Sequence, residues 1–188
     1  MDLLTGIDTR SSALKLIEPG PTRSDIERIL SAGARAPDHG KLAPWQFVVL
    51  AGAGRDVLAN AMAASLQRRM PQASTAQLDA EKQKSFRAPV IIVVAAHVIA
   101  GHKIPESEQA FAVAAATENM FLAAQALGYG AMWKTGEASR DPLVKQALGL
   151  ESSDHIIALL YLGTNATPGP VRAPLLEGKV RWISGRSD

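Results

Sequence analysis

Cysteine is absent from this chain of 188 residues. That excludes disulfides, thiolate metal sites and a cysteine nucleophile, and it agrees with a reducing, cytoplasmic location. Long apolar runs are also lacking. The first residues, MDLLTGIDTR, carry early acid and no hydrophobic core, so neither a signal peptide nor a membrane span is expected. An excess of either sign of charge is lacking. The net value is +2 and the nearest thing to a basic cluster is Arg68-Arg69. A nucleic-acid partner would call for a basic stripe, so none is expected. His97, His102 and His155 show no ligand spacing and no HExxH occurs, so no metal is expected. No Gly-x-Ser-x-Gly elbow is present, which leaves a serine hydrolase without support.

What remains is ordinary globular composition, 47% apolar and 20% charged. The length suits one domain, 1–188, able to bury roughly 70% of its unfolded surface. Hydrophobic patterning predicts a short helix over 2–9. A helix capped by Thr22 or Ser24 follows, with Ile26, Ile29, Leu30 and Ala34 on one face. It gives way before Pro37. A strand is expected over 46–50, helices over 57–70 and 74–85, and a strand buried on both faces over 90–98. The stretch 108–127 reads as a long Ala-rich helix with small or apolar residues nearly all round, ended by Gly128. A helix apolar on several faces is buried on several faces, which points to a second copy of the chain. A strand over 129–135, a helix over 141–148, a strand over 156–162 and an irregular Pro-rich tail complete a layered α+β domain.

Four stretches carry chemistry. Gly52-Ala-Gly54 follows a strand and opens a helix, as a dinucleotide turn would. Val57 stands where the third glycine belongs, and no acidic strand end follows, so a plain strand-to-helix turn is the better reading. Arg10-Ser11-Ser12 sets a guanidinium beside two hydroxyls, the donors a phosphate needs. Taken alone, it reads more readily as a solvated turn. The loop RAPDHGKLAPW carries Arg35, His39 and Lys41 between two Ala-Pro pairs. It can present donors to a planar heterocycle, or it can be a braced surface loop with Trp45 in the core. Trp133-Lys134-Thr135-Gly136 ends a buried strand with a cation and a hydroxyl. That suits the edge of a ring that becomes electron-rich, or an exposed strand terminus.

Taken together and in this order, these stretches resemble the flavin-dependent nitroreductase family, in particular its short members. The resemblance runs from Arg10-Ser11-Ser12 through Arg35-Ala-Pro-Asp-His39 and Ala43-Pro-Trp45-Gln-Phe. It continues with Gly128-Tyr-Gly130 and Trp133-Lys134-Thr135-Gly136, and closes at Leu160-Tyr-Leu-Gly163-Thr. It implies an α+β sandwich, a mixed or antiparallel sheet flanked by helices, in an intertwined homodimer with FMN in the subunit interface. Arg10, Ser11 and Ser12 would hold the flavin phosphate and ribityl region. Arg35, His39, Lys41, Trp133, Lys134 and Thr135 would contact the flavin, with His39 and Lys134 as candidates for tuning the ring. The Arg10, Arg35 and Trp133 groups around one flavin would come from different subunits. The implied reaction is ping-pong. NAD(P)H gives hydride to flavin N5, and a small electron-poor acceptor (a nitroaromatic, quinone or enone) then takes the electrons. The alternative is a flavin-binding storage, delivery or sensing protein. This chain departs from the family pattern at Asp38, Lys41 and Ala43, where Ser, Asn and Gln are usual. Of the basic residues near the C-terminus, Arg172, Lys179 and Arg181 are equal candidates for a further phosphate contact.

Overall fold

The structure is a computed structural model that describes residues 2–183. The expected domain limits, 1–188, include Met1 and 184–188, which lie outside the described residues. Chain order runs α1 (Leu3–Thr9), β1 (Lys15–Ile17), α2 (Arg23–Gly33), β2 (Trp45–Ala51), α3 (Arg55–Arg69) and α4 (Thr75–Gln83). Then come β3 (Val90–Ala96), α5 (Glu106–Ala126), β4 (Gly130–Lys134), α6 (Glu137–Arg140), α7 (Pro142–Ala147) and β5 (His155–Thr167).

Helix starts follow local chemistry. Asp2, Thr22, Ser74 and Asp141 each cap a helix through a side-chain oxygen that accepts a first-turn N–H. Ser74 and Gln77 form a reciprocal capping box. Glu106 and Glu108 lie in the first turn of α5, where carboxylates favour the helix dipole. That helix ends at Gly128, whose φ of 88° suits glycine. Gly128 N–H bonds Gln125 O at 2.9 Å and Tyr129 N–H bonds Ala124 O at 2.9 Å, a Schellman closure.

All strand pairings are antiparallel: β2 with β3, β3 with β5, and β4 and β1 with β5. β3 is buried along its whole length, as its Val- and Ile-rich run predicts. Side chains alternate across a strand, so β3 feeds two cores. Ile91, Val93 and Ala95 join Tyr161, Leu159 and Met132 under Leu58 and Met62 of α3 and Val144 of α7. Val90, Ile92, Val94 and Ala96 join Leu160 and Leu162 under Ile29 of α2 and Val113, Met120 and Phe121 of α5. Helices thus cover both faces of the sheet. Each fully buried Val or Ile contributes roughly 1.5–3 kcal/mol.

The contact between α2 and α5 is close. A Cβ on Gly33 would lie 2.7 Å from Met120 Cγ, and Asn119 Nδ2 donates to Ala32 O at 3.2 Å. The structure adds β1 and the four-residue α6, which the pattern does not predict, and two expected strands change length. The last strand continues to Thr167 because β1, a three-residue strand with no periodic signature, pairs with its far end. The strand expected over 90–98 stops at Ala96, where His97 N–H turns to Pro44 O at 2.7 Å. No helix among the described residues is long and apolar enough to cross a membrane.

Candidate functional site

Arg10 follows the end of α1 and is the C-cap of that helix. Its Nε faces Glu118 of α5 at 3.4 Å, and its guanidinium lies 4.9 Å from the centre of the Phe121 ring. Two contacts from one rigid helix fix the direction of the side chain. Gln125 steadies the same region from below, donating to Gly6 O at 3.3 Å and Thr9 Oγ1 at 3.0 Å.

Ser11 and Ser12 extend from this anchor, and the tail after β5 crosses them. Gly169 is buried against Ser12, and a Cβ on it would lie 2.1 Å from Ser12 O. Only a residue without a side chain lets the tail come so close. The crossing delivers Pro170 and Arg172 to the Arg10 segment. Arg10, Ser11, Ser12 and Arg172 therefore line one cleft of about 400 Å³, floored by Ile7, Leu14 and Pro170, with Asp8 on its rim. Of the C-terminal candidates, Arg172 is the residue in this cleft. Arg172 and the part of the Arg10 guanidinium that Glu118 leaves open, beside two hydroxyls, are the donors a phosphate uses.

Leu14 links this cleft to the next recess. It also lines a space with Lys15, Leu16, Met132 and Lys134. Lys134 in turn borders a third recess with Thr135, Leu159 and Tyr161. A row of recesses, each sharing a lining residue with the next, thus leads from Arg10 and Arg172, past Leu14, to Lys134 and Thr135, and together they form a trough. Trp133 goes the other way. Its ring packs half-buried on the α2–α5 side, and its indole Nε1–H donates to Ile157 O at 3.1 Å. Strand alternation separates it from Lys134.

The third predicted group lies apart. Arg35, His39 and Lys41 are exposed. Asp38 organises their loop, its Oδ2 accepting Ala43 N–H at 2.6 Å and its carbonyl accepting Lys41 N–H at 3.3 Å. Gly40, Lys41 and Ala43 all take positive φ, 80°, 54° and 47°. For the two non-glycine residues this is a strained, over-determined turn. His39 Nδ1 meets Glu108 Oε2 at 2.5 Å. Glu108 and the Arg10 partner Glu118 are ten residues apart on α5, a separation of roughly 15 Å along the axis at 1.5 Å per residue. Within one chain, then, the structure joins Arg10, Ser11 and Ser12, brings Lys134 and Thr135 to the same trough, and leaves Arg35, His39 and Lys41 outside it. Leu14 belongs to no motif, and Pro170 and Tyr161 fall in the tail and in the closing Leu160-Tyr-Leu-Gly163-Thr stretch with no site role expected. Each is an ordinary apolar or aromatic residue whose place becomes visible only after folding.

These elements define an α+β fold with a trough lined by Arg10, Arg172 and Lys134. The model of the Nitroreductase family matches residues 14–164, and the chain belongs to that family. The Escherichia coli K12 protein named "Putative NAD(P)H nitroreductase YdjA" is 39% identical over 166 residues, covering 87% of this chain and 88% of its own length. The fold is shared with a nitroreductase-like family protein from Bacillus cereus, with a TM-score of 0.85 at 24% identity over 98% of this chain and 97% of the other. A Desulfovibrio desulfuricans protein crystallised in complex with FMN aligns with a TM-score of 0.71 at 25% identity, over 97% of each chain.

Proposed function

We propose that the chain is an FMN-dependent NAD(P)H oxidoreductase, a single flavin-binding domain that works as a homodimer. The observation that carries this reading is the convergence of Arg10, Ser11, Ser12 and Arg172 in one cleft that opens over Leu14 to Lys134. The donor set fits the group. Two guanidiniums and two hydroxyls would hold the phosphate, and the apolar surface of Leu14 would carry the ring. When bound, FMN supplies the redox chemistry, accepting hydride from NAD(P)H and passing the electrons to an electron-poor acceptor in a two-step cycle. Lys134 and Thr135 would stand at the ring edge, the ammonium favouring the electron-rich state.

Support for the dimer comes from the surface. Leu3 and Leu4 of α1 are each 71% exposed and Phe111 of α5 is 68% exposed. The tail adds Leu175, Leu176, Trp182 and Ile183, all exposed. A second copy covers these groups and delivers its Arg35, His39 and Lys41 to the trough. A cytoplasmic site of action, where reduced nicotinamide is available, goes with this reading.

The test is the absorption spectrum of the purified protein saturated with FMN. A bound flavin band that bleaches with NAD(P)H and recovers with a quinone is the expected result. A band that NAD(P)H leaves unchanged identifies a passive flavin carrier. Protein that takes up no FMN rejects both readings.

A further inference from the structure

Beyond Lys134 the trough meets a recess of about 310 Å³ between the end of α3, α4, α6, the end of β4 and the middle of β5. Its charges do not cancel. Both of its carboxylates are engaged: Glu81 with Lys84 Nζ at 2.6 Å and Glu137 with Arg140 at 3.2 Å. Arg69, Arg87 and Lys134, which line the same recess, form no ion pair among the described residues. At its floor is Tyr161, 3% exposed, with no side-chain hydrogen bond found among the described residues. Burial pushes its phenol up to about 12, with Arg87 acting in the opposite direction. Tyr161 is therefore a neutral O–H donor at ordinary pH. Met62, Leu66 and Leu159 supply an apolar wall.

Unpaired cations around an unpartnered hydroxyl make a receptor for an oxyanion. We infer that this recess takes the carboxylate or phosphate of a substrate whose reacting end lies in the adjoining trough. The inference rests on the flavin reading for the identity of that trough. It makes the protein selective for anionic substrates. The anion comes either from the nicotinamide dinucleotide or from an acidic electron acceptor, and both present the same chemistry to Arg69, Arg87 and Tyr161.

Arg69 lies away from the Arg10 cleft and is exposed at the end of α3, so Arg69→Glu tests the recess without disturbing the core. FMN-saturated protein is assayed with NADH and NADPH as reductants and with 4-nitrobenzoate and nitrobenzene as acceptors. If the dinucleotide supplies the anion, KM for NADPH rises about tenfold or more and the two acceptors are unaffected. If the acceptor supplies it, KM for 4-nitrobenzoate rises by that factor and nitrobenzene is unaffected. Arg69→Lys restores most of the loss in either case. A second readout needs no flavin. Calorimetric titration with inorganic pyrophosphate compares R10A with R10A/R69E, and binding is expected to weaken about tenfold in the double variant. Unchanged KM for all four substrates in a variant that turns over overturns the proposal. In protein that takes up no flavin, pyrophosphate binding indifferent to Arg69→Glu overturns it as well. If the wild-type protein takes up no FMN while pyrophosphate binding still depends on Arg69, the recess stands and the flavin reading alone is rejected.

Discussion

Residues 10–12 and residues 35–41 are both polar and basic, but the fold treats them in opposite ways. Arg10 is clamped by Glu118 and Phe121, and the tail crosses Ser12 two residues on. Its partners for a ligand stand beside it in the same chain. The Arg35–Lys41 loop is equally well braced, through Asp38 and Glu108, but its Arg35, His39 and Lys41 are exposed and line none of the recesses of the trough. Rigid presentation of donors away from one's own trough is what a shared site requires. In the proposed dimer, one stretch would be the grip and the other the half lent to a neighbour.

The strongest test of this division mixes two defective chains. Arg10→Ala should weaken FMN binding about 10- to 150-fold, the scale of one or more charge-assisted bonds, and Arg35→Ala should weaken it on its own. Co-expressed as a heterodimer, the two variants leave one site with both arginines intact. One equivalent of tightly bound FMN per heterodimer is expected, read by flavin absorbance after gel filtration. A heterodimer with no tight site would mean that both stretches serve the same chain.

Next in size is the support beneath the Lys134 end. Asp141 is buried between Ser65 Oγ at 2.6 Å and Arg68 Nη2 at 2.8 Å, and it caps α7. Burial raises its carboxyl, but bonds from Ser65, Arg68 and Leu143 N–H outweigh this and hold it below the usual value of 3.8. A depressed folded-state value means that its stabilisation is complete above the unfolded value and lost as pH falls through the folded one. Asp141→Ala should cost about 2 kcal/mol at pH 7, a cap and a buried hydroxyl left unpaired. The gap to wild type in urea midpoint should narrow below pH 4 (roughly the unfolded carboxylate value).

Lys134→Met asks whether the trough tunes what it holds. Removing the ammonium should lower the flavin midpoint potential by about 30 mV, equivalent to ~1.4 kcal/mol, measured by dye-coupled titration. An unchanged potential would leave Lys134 as a bystander. The smallest effect is expected at the tail. Arg172→Ala should weaken FMN about two- to fivefold, as suits an exposed ion pair, whereas Lys179→Ala should do nothing. Equal effects would remove the distinction between the two.

Much of this was legible in the sequence because it is local. The Val- and Ile-rich β3, a cap at Thr22 or Ser24, and the Gly128 stop all announce themselves within a few residues. The Arg10 triplet and the Trp133 stretch were legible as motifs, but not as geometry. Period-two alternation sends Trp133 and Lys134 to opposite faces, which a quoted motif hides. β1 escaped notice because three residues carry no period. Arg172 could not be ranked above Lys179 and Arg181, since its position depends on where the tail crosses Ser12. That crossing is a contact between residues distant in sequence.

Gly169 lies two residues after the end of β5, so strand length acts as a ruler for everything beyond it. Adding or deleting one residue within β5 would slide the tail by roughly 3.3 Å and turn its side chains over. A bulky residue would then meet the carbonyl of Ser12, and Arg172 would point elsewhere. A length change of one amino acid, far from any charged group, should thus disable the arginine as surely as deleting it.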